Sequence, residues 1–120
     1  MDLYSELIRL EYVEVAEISE VPVGGMRKVV LGDREILLVN LDGEIHAIGN
    51  RCPHAGGDLS KGSIDQGIIT CPRHGSKFEV ATGRVVSGPK ILFLKLKTGD
   101  LPSYEVRTEG TQIRVRLDVT

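Results

Sequence analysis

Two short motifs, each with one cysteine and one histidine, constrain the fold of this chain more than any other feature. They are Cys52-Pro53-His54 and Cys71-Pro72-Arg73-His74, and 16 residues separate the first from the second. Together they contain both cysteines of the chain and two of its three histidines. Thiolates and imidazoles are the ligands of tetrahedral zinc sites and of some iron–sulfur clusters. A fold that places all four side chains on one centre must bring two separate loops together.

The order of the ligands within each motif separates these two kinds of centre. Cys2His2 zinc sites usually place both cysteines in one knuckle and both histidines in the other. Here each loop supplies one cysteine and one histidine. This order favours a two-iron cluster, with one thiolate from each loop on the first iron and one imidazole from each loop on the second. A structural zinc site in an interaction module is the alternative, and colour distinguishes them because zinc is colourless.

The residues around the motifs resemble the Rieske family, in whose 2Fe–2S centre two histidines replace two cysteines on one iron. Residues 68–78 resemble the second cluster loop of that family, and Ser87-Gly88-Pro89 resembles its proline loop. The resemblance is strong over residues 49–89 and weaker, in strand pattern, over most of the rest. It implies one 2Fe–2S cluster in this chain, with Gly75 and Pro89 beside it.

The resemblance also assigns roles to the four ligands. Cys52 and Cys71 would bind one iron through their thiolates. His54 and His74 would bind the other, and their neutral imidazoles make that iron the reducible one and raise its potential. In the family the histidine edges lie at the molecular surface. The resemblance therefore implies that electrons enter and leave through these two side chains.

Hydrogen bonds around the cluster tune its potential. High-potential members of the family have an extra cysteine in each loop, joined as a disulfide, and a serine and a tyrosine that donate to cluster sulfurs. Here the cysteine positions correspond to Gly57 and Arg73, so that disulfide is absent. The serine is kept as Ser76, whereas Phe78 replaces the tyrosine and cannot donate. These differences imply a potential in the lower or middle part of the family range of about −150 to +300 mV.

The alternation of short apolar runs and turn residues predicts an all-β chain. Short strands at regular spacing favour an antiparallel β-sandwich or small barrel. The Asp42-Gly43 dipeptide between two such runs is a strong hairpin signal. Residues 1–10 allow a short amphipathic helix or arm, because their apolar residues recur every four positions. The predicted strands cover residues 12–18, 26–31, 35–41, 44–48, 67–71, 77–81, 91–97, 104–108 and 112–119.

A chain of 120 residues is long enough for one domain with one core. We expect a single domain over residues 1–120. Strands from about 11–49 and 91–119 would form its base. A cluster-binding lobe of two loops, about residues 50–89, would be inserted between them. This lobe is rich in glycine, which lets the backbone approach a cluster because no Cβ intervenes.

Charge is distributed unevenly along the chain. Residues 1–50 hold four Lys/Arg and ten Asp/Glu, a net of −6, whereas residues 51–97 hold eight and three, a net of +5. The basic residues expected near the cluster would form a docking face for an acidic partner, raise the potential, or be an ordinary solvated surface. Nucleic acid is not an expected partner, because the net charge is −2 and no aromatic residues interleave the basic ones. These basic residues are Arg51, Lys61, Arg73, Lys77, Arg84 and Lys90.

Three further polar residues are not expected to have a chemical role. His46 lies in an apolar run and is expected to be structural. Asp58 and Asp65 lack partners at a spacing typical of acid–base catalysis, so we expect them to be solvated loop acids. The chain also lacks the separate domain with a mononuclear iron, bound by two histidines and a carboxylate, that oxygenases carry.

The resemblance implies a stand-alone Rieske-type ferredoxin, a one-electron carrier without a substrate site of its own. It would pass electrons from a ferredoxin reductase to a terminal redox enzyme such as an oxygenase. The alternative is a small iron–sulfur subunit of a reductase complex, similar to those of nitrite reductases. No apolar run reaches the ~20 residues of a membrane span, and the acidic N-terminus does not match a signal peptide. With both cysteines bound to metal, we expect a cytoplasmic location.

Overall fold

A computed structural model describes residues 12–91, 94, 95 and 97–117. Within these ranges the chain forms thirteen short strands and two 3-10 helices, Ile18–Glu20 and Leu59–Lys61. No helix in the described part is long and apolar enough to cross a bilayer. The strands are β1 (Tyr12–Glu17), β2 (Met26–Leu31), β3 (Arg34–Leu41), β4 (Glu44–Gly49), β5 (Ser63–Asp65), β6 (Ile68–Thr70), β7 (Lys77–Glu79), β8 (Val85–Ser87), β9 (Lys90–Ile91), β10 (Leu94–Lys95), β11 (Ser103–Tyr104), β12 (Val106–Glu109) and β13 (Gln112–Arg116).

Two antiparallel sheets pack on each other. One has the strand order β11-β4-β3-β2, and the other has the order β1-β13-β12. The β3–β4 hairpin turns at Asp42 and Gly43, whose φ values are 52° and 95°. Glycine adopts a positive φ without strain, and aspartate tolerates it better than most residues. The hairpin predicted from this dipeptide is therefore confirmed.

Strand β3 is buried on both of its faces. Successive side chains of a strand point to opposite sides, and here each side meets a different hydrophobic core. Ile36 and Leu38 pack in a core with residues of β1 and β13. Leu37 and Val39 pack in a second core, which also contains both cysteines. The second core thus extends from the middle of the β11-β4-β3-β2 sheet to the two motifs.

A further antiparallel sheet, in the order β5-β6-β7-β8, supports the second motif. The second loop connects β6 to β7, and the first loop connects β4 to the helix Leu59–Lys61. After that helix the backbone passes very close to β6, since a Cβ at Gly62 would lie 2.2 Å from the Thr70 carbonyl oxygen. Glycine permits this approach, and it brings the end of the first loop against the start of the second.

The all-β class is confirmed, and so are the strands predicted over residues 26–31, 35–41 and 44–48, within one residue at either end. Two predicted strands are wrong in extent. The run 91–97 contains the last residue of β9 and all of β10, and these two strands pair with each other. The run 104–108 is divided between β11, which pairs with β4, and β12, which pairs with β13. The chain passes from one sheet to the other within this run, which a local pattern cannot reveal.

Strands β5 and β8 are missing from the prediction. Each has three residues, too few for a period of two to stand out from the surrounding loop residues. They become strands by pairing with β6 and β7, which the sequence did indicate. The helix or arm predicted over residues 1–10 lies outside the described residues, as does the end of the strand predicted over residues 112–119.

Candidate metal centre

The first motif lies in a tight loop closed by two backbone hydrogen bonds. The Cys52 amide donates to the Gly57 carbonyl at 2.9 Å, and the Gly56 amide donates to the Cys52 carbonyl at 2.8 Å. Gly56 has a φ of 69°, which favours glycine. Pro53 follows the cysteine and fixes its own φ near the value that such turns require. The loop therefore reverses direction directly after its first ligand.

The second motif lies in a loop with the same hydrogen bonds. The Cys71 amide donates to the Ser76 carbonyl at 2.8 Å, and the Gly75 amide donates to the Cys71 carbonyl at 3.1 Å. Gly75 has a φ of 77°. In both loops these bonds join a cysteine to the residues four and five positions later. The loops differ in one respect, because His54 comes two residues after its cysteine and His74 comes three.

The structure brings the four predicted ligands together, with like side chains adjacent. Cys52 and Cys71 are 4% and 3% exposed, and their thiols are neighbours that form no disulfide. Burial raises the pKa of the Cys71 thiol, and the adjacent Cys52 thiol also raises it. The rings of His54 and His74 meet edge to face with centroids 5.4 Å apart, and both are half-buried. The thiols thus form the inner side of the site, and the imidazoles form the side nearer to solvent.

These side chains line a small space between the two loops. Within the described ranges, no three His, Cys, Asp or Glu side chains are grouped as ligands of a single ion would be. Two thiols on one side and two imidazoles on the other suit a pair of irons, each with two protein ligands. The wall of the space consists of Cys52, His54, Ala55, Gly57, Cys71, Arg73, His74 and Ser76.

Two buried polar atoms in this wall have no hydrogen-bond partner in the described part of the chain. They are Nδ1 of His74 and Oγ of Ser76. Leaving a buried polar atom unpaired costs about 1–3 kcal/mol, so native proteins rarely do so without a reason. Iron would take the imidazole nitrogen, and a cluster sulfide would accept from the hydroxyl. The donor set and its two unpaired atoms therefore fit a [2Fe-2S] cluster.

Gly57 provides the room that the thiols need. A Cβ at this position would lie 2.6 Å from Cys71 Sγ, well inside the ~3.5–4.0 Å of normal contact. The same Cβ would lie 3.4 Å from the Cβ of Arg73, close to the ~3.5–4.5 Å that joins two half-cystines. This proximity supports the correspondence of Gly57 and Arg73 to the disulfide positions of high-potential Rieske proteins.

A buried polar network holds the two ends of the first loop. Asn50 is fully buried, and its side-chain amide donates to Asp58 at 2.8 Å and to Glu35 at 3.2 Å. Its side-chain oxygen accepts from the Ser60 amide at 2.9 Å. Lys28 donates to Asp58 at 3.1 Å from the neighbouring strand β2. These bonds connect the residue before the first loop to the residues after it.

Sequence reasoning missed Asn50 and misread Asp58. Asp58 is not a solvated loop acid, because its side chain is 13% exposed and accepts bonds from Asn50 and Ser60. An aspartate that accepts from the amide two residues later is typical of a helix start, so the Asp58-Leu59-Ser60 sequence carried a usable signal. Asp65 is exposed at the end of β5, as expected, and His46 lies half-buried on β4.

Two arginines bind carbonyl groups of the first loop. Arg51 donates to the Gly56 carbonyl at 3.0 Å and to the Glu35 carboxylate at 2.9 Å. Arg73 reaches across from the second loop and donates to the Ala55 carbonyl at 2.7 Å. Arg73 thus links the two loops by a hydrogen bond at a position where high-potential Rieske proteins have a covalent link.

Gly75 and Pro89 lie next to the space rather than in its wall. Gly75 closes the second loop, as described above. Pro89 is buried, and the Lys90 amide that follows it donates to the His74 carbonyl at 2.9 Å. Contact of Gly75 or Pro89 with the cluster stays a prediction. Phe78 is fully buried in the core that also contains both cysteines.

We expect Asp58 to make the stability of the protein depend on acid pH. Hydrogen bonds from the Ser60 hydroxyl, the Asn50 amide and the Lys28 ammonium hold the pKa of Asp58 well below its usual range. Such a carboxylate stabilises the folded state above the unfolded-state pKa of about 4 and loses this contribution as the pH falls. Asp58→Asn should cost about 1–2 kcal/mol at pH 7 and less at pH 3. Urea unfolding at both pH values measures the difference, and an equal cost at the two would contradict the prediction.

Comparison with known proteins identifies a family and several relatives that are similar to this chain. The Rieske [2Fe-2S] domain family model matches residues 11–105. Apoptosis-inducing factor 3 of Mus musculus is 34% identical over 102 residues, which are 85% of this chain and 16% of that protein. The ferredoxin component of the naphthalene 1,2-dioxygenase system of Pseudomonas aeruginosa is 29% identical over 107 residues, which are 89% of this chain and 96% of that protein.

A solved structure of a complex of reduced oxygenase and oxidized ferredoxin in carbazole 1,9a-dioxygenase contains a similar chain. Its TM-score is 0.76 at 27% identity, and the alignment covers 88% of this chain and 93% of that one. The chain thus spans nearly the whole length of a ferredoxin component but only 16% of apoptosis-inducing factor 3. Because the family model matches residues 11–105, a range that contains both motifs and most of the described strands, the chain belongs to the Rieske [2Fe-2S] domain family.

Proposed function

We propose that this chain is a one-electron carrier that holds its [2Fe-2S] cluster between the two loops. Cys52 and Cys71 would bind one iron, and His54 and His74 would bind the other. The observation that carries this proposal is the pairing of two buried thiols and of two half-buried imidazoles around one space. When bound, such a cluster accepts and releases a single electron.

The surrounding residues would control access to the cluster and its potential. The two thiols are buried, which keeps water and oxidants away from the inner side of the site. The two imidazoles are half-buried, so a partner protein could approach them directly. The absence of a hydrogen-bond partner on Nδ1 among the described residues supports this atom as the metal-binding nitrogen of His74. Residues 50–89 would act as a cluster-binding lobe on a base formed by the other strands, within a single domain.

The electron would pass between a reductase and a terminal redox enzyme such as an oxygenase. The match along 96% of a dioxygenase ferredoxin component supports this role, and so does the likeness to a chain from a ferredoxin–oxygenase complex. The chain would have no substrate site of its own and would work in the cytoplasm. A small subunit of a reductase complex is the alternative, and copurification with a large partner would favour it.

Electron paramagnetic resonance of the reduced protein tests the proposal. We expect a rhombic signal with an average g value clearly below that of all-cysteine clusters, together with two irons and two sulfides per chain. These results would establish imidazole ligands on the reducible iron. A colourless protein with one zinc per chain and no signal would mean that the four residues form a structural site, and the redox proposal would fail.

We expect Ser76→Ala to lower the reduction potential. The Ser76 hydroxyl is buried and unpaired, and a hydrogen bond from it to a cluster sulfur would favour the more negative, reduced form. A difference of about 1.4 kcal/mol between the two redox states corresponds to about 60 mV for one electron. Phe78→Tyr should raise the potential, because it restores a donor. Redox titration followed by visible absorption measures both, and an unchanged midpoint in Ser76→Ala would show that its hydroxyl does not contact the cluster.

A further inference from the structure

An open groove of about 370 Å³ runs between the two cluster loops, beside the metal site. Its lining includes Arg51, Lys61 and Arg73 and one acidic residue, Asp58. Gly57 and Pro72 also line it, and each belongs to a loop that carries a ligand. The groove therefore shares a wall with the space between the thiols and imidazoles.

The charges of this groove do not cancel. Asp58 is paired with Lys28 at 3.1 Å, and Arg51 is paired with Glu35 at 2.9 Å. Arg73 donates to a neutral carbonyl, which leaves its charge unbalanced. Lys61 is exposed, and it forms no ion pair with a carboxylate of the described residues. Two positive charges in the lining of the groove, on Lys61 and Arg73, therefore remain without a counter-charge.

We propose that this groove, defined by Arg51, Lys61 and Arg73 with the loop residues between them, receives carboxylate side chains of an acidic redox partner. This inference rests on the proposed electron-carrier function. A carboxylate seated between Lys61 and Arg73 gains two charge-assisted contacts. It would also hold the partner beside the loops that carry His54 and His74, where electron transfer takes place.

The positive charge of the groove is opposite in sign to the net charge of the protein. The protein has a net charge of −2, so an acidic partner is repelled from most orientations. Exposed charges act over only about 8–10 Å at physiological ionic strength. Attraction to the groove therefore operates only when the loops face the partner, and the association favours the productive orientation.

Small redox complexes of opposite charge test the groove in the intact protein. Stopped-flow mixing would follow the transfer of one electron from the reduced protein to ferricyanide, which becomes ferrocyanide, or to hexaammineruthenium(III). The net charge predicts that salt accelerates the reaction with the ferricyanide anion, whereas the groove predicts that salt slows it. Lys61→Glu should lower the ferricyanide rate by about tenfold at low salt and leave the rate with the ruthenium cation unchanged or higher.

Lys77→Glu is the matched control, because it makes the same change of charge on an exposed residue that lines a different cleft. Lys61→Gln, with half the change, should give an intermediate rate. Poly-L-glutamate should compete with ferricyanide for the original protein but not for Lys61→Glu. A ferricyanide rate that rises with salt, or equal effects of Lys61→Glu and Lys77→Glu, would contradict the groove proposal. A normal cluster spectrum in the same protein would still support the carrier function. A protein without any cluster spectrum would end both proposals.

Discussion

Replacing Gly57 with alanine should give a folded protein with a reduced content of [2Fe-2S] cluster. The new Cβ would lie 2.6 Å from Cys71 Sγ, about 1 Å inside normal contact distance. The thiol would have to move by a similar amount. Metal–ligand distances vary by only about 0.2 Å, so a displaced Cys71 would share an iron with Cys52 less readily.

Iron content and visible absorption measure this effect, and circular dichroism checks that the variant folds. Gly99→Ala is the matched control, because a Cβ there would meet nothing within 4 Å and its φ is not left-handed. The control should keep its full iron content. If Gly57→Ala also kept it, the thiols would have another position open to them, and the packing argument for Gly57 would be wrong.

Asn50→Leu should both destabilise the protein and release the cluster quickly. The substitution removes one of the two side-chain acceptors of the Ser60 amide and the Asn50 donor to both Asp58 and Glu35, and it places an apolar side chain among these polar groups. Losing a buried network of this kind costs about 3 kcal/mol. The two ends of the first loop would then separate more readily, and Cys52 and His54 would move with them.

A second buried asparagine separates the two effects of this substitution. Asn40 is 5% exposed, donates to the Val21 carbonyl at 2.8 Å and accepts from the Gly43 amide at 2.8 Å, at the β3–β4 hairpin. Asn40→Leu should lower the melting temperature without speeding cluster loss to a chelator below that temperature. Asn50→Leu should lower the melting temperature and also speed the loss of the cluster to the chelator. Equal rates of cluster loss in the two variants would show that the Asn50 network has no specific effect on the site.

The grouping of the two cysteines and two histidines around one space could be predicted from sequence because much of it depends on local spacing. A cysteine and a histidine two or three residues apart remain neighbours in any tight loop. Cys52-Pro53-His54 and the second motif can therefore be recognised from the sequence alone. The Asp42-Gly43 hairpin is local for the same reason. The two thiols are also expected to be adjacent when two loops, each with one cysteine and one histidine, meet at one site.

The supporting contacts could not be predicted, because they join residues that are distant in the chain. Arg73 and Ala55 are 18 positions apart, and Asn50 and Glu35 are 15 apart. Neither pair shows a pattern in the sequence, since any arginine or asparagine can make such bonds. The division of residues 104–108 between two sheets is hidden for a related reason. Both β11 and β12 have strand propensity, and only their tertiary partners distinguish them.

The double burial of β3 has a consequence for how the molecule opens. Its amides bond to β2 and β4, and its side chains fill the cores on both sides. Hydrogen exchange of these amides should therefore require global unfolding rather than local fluctuation. Leu37 and Val39 belong to the same core as the two cysteines, so we expect the two motifs to be anchored to the part of the chain that exchanges most slowly. Loss of the cluster should loosen the loops while β3 keeps its protection.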